Sequence, residues 1–315
     1  MGKTDAKTNE YMSDAGRFAD LFNFFLYDGE QVIRPENLKE MDRTALALPF
    51  GDGAKPSEVI QKYRDLFRLL SAMSDSNAAY LLLGLENQSE ASNAMPAKNM
   101  LYDAAEYVRQ VEASARSHRE HAKNHPGESH VSPGEFLSGF HKDDRLLPVI
   151  TLVVLWSPDE WDGPRSIHEM LAVKDERLLK FIPDYRINLI TPHGIKDEDF
   201  QKFHTALGKA FRFIKYANDT DRLEEIVASD AEYERLDRRT VELINETTNA
   251  GIIIPEGAKE VNMCMAIEGM KKKAADNTLV TAIKNLMDST KWTAQQAMNA
   301  LKITAEDQKR LSKMM

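Results

Sequence analysis

Two apolar runs flanking a polar tetrapeptide constrain this chain more than any other feature. They lie between Tyr63 and Gln88, with Ser74, Asp75, Ser76 and Asn77 between them. Such a pattern predicts two buried strands joined by a tight turn. Each run carries an acid foreign to a sheet core, Asp65 in the first and Glu86 in the second. A hairpin centred between Asp75 and Ser76 pairs residues whose numbers sum to 151, which sets Asp65 opposite Glu86. Opposed side chains stand about 5 Å apart at Cβ, where like charges repel. Gln88 shares the face of Glu86, because strand side chains alternate. Two carboxylates buried together need a cation or a shared proton, and a hard divalent cation takes oxygen ligands of this kind. The alternative is a slipped register with one exposed acid at each strand end.

The motifs around this pair carry a resemblance. Asp65 stands in Tyr63-Arg64-Asp65-Leu66; the second strand ends in Glu86-Asn87-Gln88-Ser89-Glu90; Met95-Pro96-Ala97-Lys98-Asn99-Met100-Leu101-Tyr102 follows. In this order they resemble the PD-(D/E)XK nuclease superfamily, and more narrowly the Rpn family of recombination-promoting nucleases and putative transposases. The likeness continues through Arg17 to Phe22, Phe136 to Phe140, Glu160 to Ser166 and Phe181 to Tyr185, and on into the carboxyl-terminal region, covering most of the chain.

The resemblance implies an α/β fold, a restriction-endonuclease-like mixed β-sheet core flanked by helices, with a helical C-terminal region. It implies a Mg²⁺- or Mn²⁺-dependent DNA endonuclease linked to recombination or transposition of mobile elements. Asp65 and Glu86, with the backbone carbonyl of Asn87, would hold the metal. The superfamily's usual third-motif lysine is replaced by Gln88, which hydrogen-bonds but supplies no charge. Lys98, near the start of the next helix, would reach back to supply it. Tyr102, one turn later, would contact the phosphate or pack, and Asp20 on the first helix is a candidate accessory acid. The rival is a catalytically weak or inactive nuclease-fold protein that binds DNA or assembles.

Composition bounds these readings. A chain of 315 residues with 42% hydrophobic and 29% charged residues matches a soluble globular protein. No apolar run is long enough to span a bilayer, and the polar start is not a secretory signal. The single cysteine, Cys264, excludes an internal disulfide framework and suits a reducing cytoplasm. A net charge of −9 argues against broad, non-specific nucleic-acid binding; a bound metal would add positive charge where a phosphate sits.

Periodicity predicts the remaining organisation. Residues 1–14 are polar and expected to fray; the resemblance implies a nuclease-like domain over residues 15–220, followed by the helical C-terminal region, residues 221–315. A helix is expected from Ala15 to Asp28, a short strand over Thr44 to Phe50, and a long helix from Met95 to about Ala122. A strand apolar on both faces runs from Leu146 to Trp156, which suggests helices covering a sheet. Another strand follows at Tyr185 to Ile190. Helices are expected at Asp199 to Ala217, Asp221 to Ser229 and Ala231 to Ala250, and in the last ~50 residues, where Thr304 opens a final short helix. Those C-terminal helices offer a surface for self-association or a helix-turn-helix mimic. His118, His121, His125 and His130 crowd one polar stretch, read as a helix end rather than a metal site.

Overall fold

The structure is a computed structural model and describes residues 3–40, 66–70, 81–126 and 131–312. The expected strand Thr44 to Phe50, the turn Ser74 to Asn77, Asp65 and His130 lie outside the described residues. The chain divides into two compact units. The first comprises Met1–Asn218 with Glu242–Thr248, and the second Asp219–Val241 with Asn249–Met315.

The first unit begins with α1 (Lys3–Met12) and α2 (Ala15–Tyr27). The polar start expected to fray is instead a packed helix: Thr8, Tyr11 and Met12 are buried. Tyr11 anchors it, edge-on to Trp156 and with the Arg17 guanidinium over its ring. Asp14 caps α2 by accepting from the Arg17 amide. Asp28 closes α2 in the left-handed conformation, φ 54°, followed by Gly29 at φ 93°. A side chain at Gly29 would come within 2.7 Å of the Lys202 Cβ, so glycine is required there by space as well as conformation.

The sheet is built from β1 (Leu38–Glu40), β2 (Leu66–Leu70) and β3 (Leu81–Gln88), then, after α3 (Met95–Asn124) and α4 (Pro133–Ser138), from β4 (Val149–Leu155). The short helices α5 (Ile167–Met170) and α6 (Glu176–Leu179) precede β5 (Asn188–Ile190), and α7 (Leu207–Lys215) follows. Strand order is β1-β2-β3-β4-β5. The first two junctions are antiparallel and the last two parallel. A parallel step needs a crossover, and α3 supplies it between β3 and β4. The molecule is therefore a mixed α/β structure, as expected. The three-residue edge strand β1 is one that periodicity did not predict.

The hairpin register is the expected one over every described pair. Leu66 faces Leu85, Phe67 faces Gly84, and Leu70 faces Leu81. Along β4 the register is unbroken from Leu82 opposite Val149 to Gln88 opposite Leu155. Alternation then assigns the two faces of the sheet. Leu85, Asn87, Leu152, Val154 and Trp156 share one face; Glu86, Gln88, Thr151, Val153 and Leu155 share the other.

The first face meets aromatic residues. Trp156 stacks on Phe211 of α7 at 4.9 Å, and Phe203 packs against Phe211. The second face is covered by α3, where Met95 joins Val153, Leu155, Trp161 and Ile187 in an apolar cluster. The expected continuous helix Asp199 to Ala217 is broken into a 3-10 segment, Asp197–Lys202, and α7. Asp20 is the cause. Its carboxylate accepts from the amides of His204 and Thr205 and from the Thr205 hydroxyl, and so holds the backbone out of the helix.

The second unit contains α8 (Thr220–Ser229), the strand pair β6 (Leu236–Asp237) and β7 (Glu260–Val261), the start of α9 (Arg238–Thr248), and α10 (Met263–Thr290), α11 (Ala294–Ala300) and α12 (Ala305–Leu311). The helix expected from Ala231 to Ala250 is interrupted by β6, which pairs with β7. Val280 and Ile283 of α10 pack with Ala297, Met298 and Leu311. Thr304 caps α12 as its sequence suggests, accepting from the Asp307 amide. Arg310 grips Asp276 through two hydrogen bonds of 2.8 and 2.9 Å. Cys264 is half-buried and donates to the Val227 carbonyl. Among the described residues, no helix is long and apolar enough to cross a membrane.

Candidate active site

Glu86 lies near the carboxyl end of β3, on the face covered by α3, and its side chain is only 2% exposed. A carboxylate buried this deeply requires a cation or several donors. Lys98 provides the cation. It stands one turn into α3, whose first turn carries Pro96, and its Nζ donates to Glu86 Oε2 at 2.8 Å. The geometry follows from the local sequence: β3 ends at Gln88, a six-residue connection turns the chain, and α3 runs back over the face it has just left. Lys98 itself remains 38% exposed. Its ammonium also lies 5.5 Å from the centre of the Tyr102 ring, one turn further along α3.

Asn87 points the other way. Its side chain accepts from the Trp156 indole N–H at 2.7 Å and donates to Asn9 of α1 at 2.8 Å. The Asn87 side chain thus ties β3 to α1, and only its main-chain carbonyl is oriented independently of that face. This carbonyl accepts from the Gln88 side-chain amide at 2.9 Å. Gln88 therefore shares the face of Glu86, as the register required, and its carboxamide is half-buried against its own backbone.

Two residues that sequence reasoning did not single out also belong to this face. Asp103 of α3 accepts from the Thr151 hydroxyl of β4 at 2.7 Å and from the Tyr185 phenol at 2.6 Å, clamping helix to sheet. Asn99 is 0% exposed, and neither its carboxamide oxygen nor its nitrogen has a hydrogen-bond partner among the described residues. It sits in the buried stripe Met95, Asn99, Tyr102 and Glu106 at spacings of four, three and four, where an apolar residue would pack at lower cost. Only the three-dimensional surroundings identify it; in sequence it is an ordinary helix asparagine.

Asp20, the candidate accessory acid, is buried, and both its oxygens are engaged by His204 and Thr205. The histidines also resolve. His118 stacks on His141 at 3.6 Å and pairs with Asp144 at 2.9 Å, while His121 stacks on His125. A main-chain donor, His141 N–H, holds the Asp144 carboxyl below the usual carboxylate range, helped by the His118 side chain. Among the described residues, no three His, Cys, Asp or Glu side chains are grouped so as to hold a metal ion.

The donor chemistry nevertheless fits a hard divalent cation. Glu86 offers carboxylate oxygen and Asn87 a carbonyl oxygen, the ligand types Mg²⁺ and Mn²⁺ prefer. The buried Glu86 charge is already matched by a cation in direct contact. The second expected carboxylate, Asp65, lies outside the described residues. Comparison of the chain with family models, with curated proteins and with solved structures finds no match.

Proposed function

We propose that this chain is a metal-dependent DNA endonuclease with a restriction-endonuclease-like core, acting in the cytoplasm in recombination or transposition of mobile elements. The observation that carries this reading is the contact between Lys98 and Glu86 at 2.8 Å. It joins in space the acid and the lysine that Gln88 keeps apart in sequence. The hairpin register gives further support, because its described pairs follow the arithmetic that set Asp65 opposite Glu86.

In this reading Asp65, Glu86 and the Asn87 carbonyl hold Mg²⁺ or Mn²⁺. When bound, the cation lowers the pKa of a coordinated water and polarises the phosphodiester. Lys98 stabilises negative charge developing on the phosphate. Gln88 orients the attacking water by hydrogen bonding, and Tyr102 supports the Lys98 side chain.

Plasmid nicking with Mg²⁺, with Mn²⁺ and with a chelator tests the reading. Cleavage should require the metal and fall by orders of magnitude in Glu86→Gln and Asp65→Asn. Nicking that persists in chelator, or that survives Glu86→Gln, overturns it. The net charge of −9 and the neutral Gln88 favour one other reading, a nuclease scaffold that binds DNA or assembles without cutting it. Its signature is DNA retention in a gel-shift assay with no nicking under any metal.

A further inference from the structure

We propose that Lys98 is an exchangeable counter-ion of Glu86, so that cation binding at Glu86 waits for a nucleic-acid phosphate. This rests on the metal-dependent nuclease reading and adds an order of events to it. Glu86 is almost wholly buried, so its charge is far better tolerated with a cation in contact. The Lys98 ammonium fills that role at 2.8 Å.

A divalent cation cannot simply join it. Two cations sharing one buried carboxylate repel each other, and the oxygen held by Lys98 has already committed to an ammonium proton. The lysine must leave for the metal to bind well. Its means of leaving are visible: the side chain is 38% exposed and flexible, and the Tyr102 ring lies 5.5 Å from its Nζ as an alternative neighbour. What draws it away is a competing anion, and the phosphate of a DNA backbone is that anion. Lys98 then moves from Glu86 to the phosphate, and Glu86 passes to the metal.

The exchange makes the two binding events cooperative. Phosphate tightens cation binding, and the cation tightens phosphate binding by the same factor, as linkage requires. A hydrogen bond to a charged group corresponds to roughly ten- to a hundredfold in an equilibrium constant, which sets the expected coupling. The protein alone then holds little metal at Glu86, and the charge that activates water arrives together with the substrate.

Binding of Mn²⁺, followed by the loss of the free-ion electron paramagnetic resonance signal, tests this without any cleavage. The proteins are the parent, Lys98→Met and Glu86→Gln, each alone and with a short phosphorothioate DNA duplex that resists hydrolysis. Glu86→Gln with duplex gives the background of ions held by the DNA itself. Without DNA, Lys98→Met should bind Mn²⁺ at least about tenfold more tightly than the parent. Adding the duplex should tighten the parent by a similar factor and leave Lys98→Met nearly unchanged. Equal affinity of parent and Lys98→Met, or a parent affinity indifferent to DNA, overturns the exchange while leaving the metal site standing. If parent and Lys98→Met bind no more Mn²⁺ than Glu86→Gln, with or without DNA, the metal reading itself falls. Should Lys98→Met fail to fold, the DNA dependence of the parent alone decides.

Discussion

The two faces of the central sheet are built from the same strands yet differ in almost every property. On one face Leu85, Leu152 and Val154 are buried, Trp156 meets Tyr11 and Phe211, and even the polar Asn87 is bonded on both ends of its carboxamide. On the other, Glu86 leans on a half-exposed lysine, and the buried Asn99 carboxamide finds no hydrogen-bond partner among the described residues. Alternation along a strand makes this separation cheap: residue 85 can serve stability and residue 86 chemistry without compromise. The acids repeat the contrast. Asp20, on the aromatic side, is held by main-chain and hydroxyl donors and acts as a fixed staple; Glu86 meets the ammonium of a part-exposed lysine.

If this contrast is right, the largest loss of stability comes from the aromatic face. Trp156→Ala should cost about 3–5 kcal/mol in chemical denaturation, since it removes a buried ring and leaves a cavity. A loss below about 1 kcal/mol would break the distinction between the faces. Asp20→Ala should follow, at about 3 kcal/mol, because the His204 and Thr205 amides lose a charged acceptor in a buried setting. Its Mn²⁺ affinity should equal the parent's; a tenfold loss would return Asp20 to the metal site.

Asn99→Leu sharpens the comparison with a change of opposite sign. It should raise stability by about 1 kcal/mol, as two unsatisfied polar atoms leave the interior. Nicking should fall at the same time, the mark of a residue kept for function against stability. A variant less stable than the parent would make Asn99 a structural residue. The smallest effect concerns Glu135 in the first turn of α4. The main-chain amide of Lys142, followed by Ser132, lowers its carboxyl to about 2 from 4.5. A lowered folded value stabilises above the unfolded one and is lost as pH falls through the folded one. The melting temperature of the parent should therefore exceed that of Glu135→Gln above about pH 4.5, with the gap closing toward pH 2. A gap that does not change with pH would remove Glu135 from the class of saturated acids.

Much of the first unit was legible before any coordinates. A polar tetrapeptide between two apolar runs was enough to centre the hairpin and so to set the β2–β3 register over its described pairs. The start of α3 was legible from Pro96, and β4 from its apolar run. Other features were hidden for physical reasons. Leu38 to Glu40 is too short a strand to display alternation. α1 hides its packing because Tyr11 and Met12 are its main apolar residues and sit side by side. The break before α7 is imposed by Asp20, far away in sequence, and no local propensity records it. Within the candidate site, the resemblance implied that Lys98 would reach back toward the strand, and its contact with Glu86 is how it does so. The burial of Asn99 and the clamp of Asp103 on Thr151 and Tyr185 depend on which residues surround them in space.

The crossover through α3 also shapes how the chain reaches this structure. β2 and β3 are joined by a short connection, so their pairing closes early and cheaply. Leu82 must find Val149 across the whole of α3 and α4 before the parallel ladder forms. Such long-range pairing is slow, and its contacts are made late in folding. Glu86 is therefore placed on its strand before the face that buries it is complete, and the helix that closes over it carries the lysine that neutralises it. The carboxylate need not enter a dry interior alone: its counter-ion arrives on the same element that excludes the water.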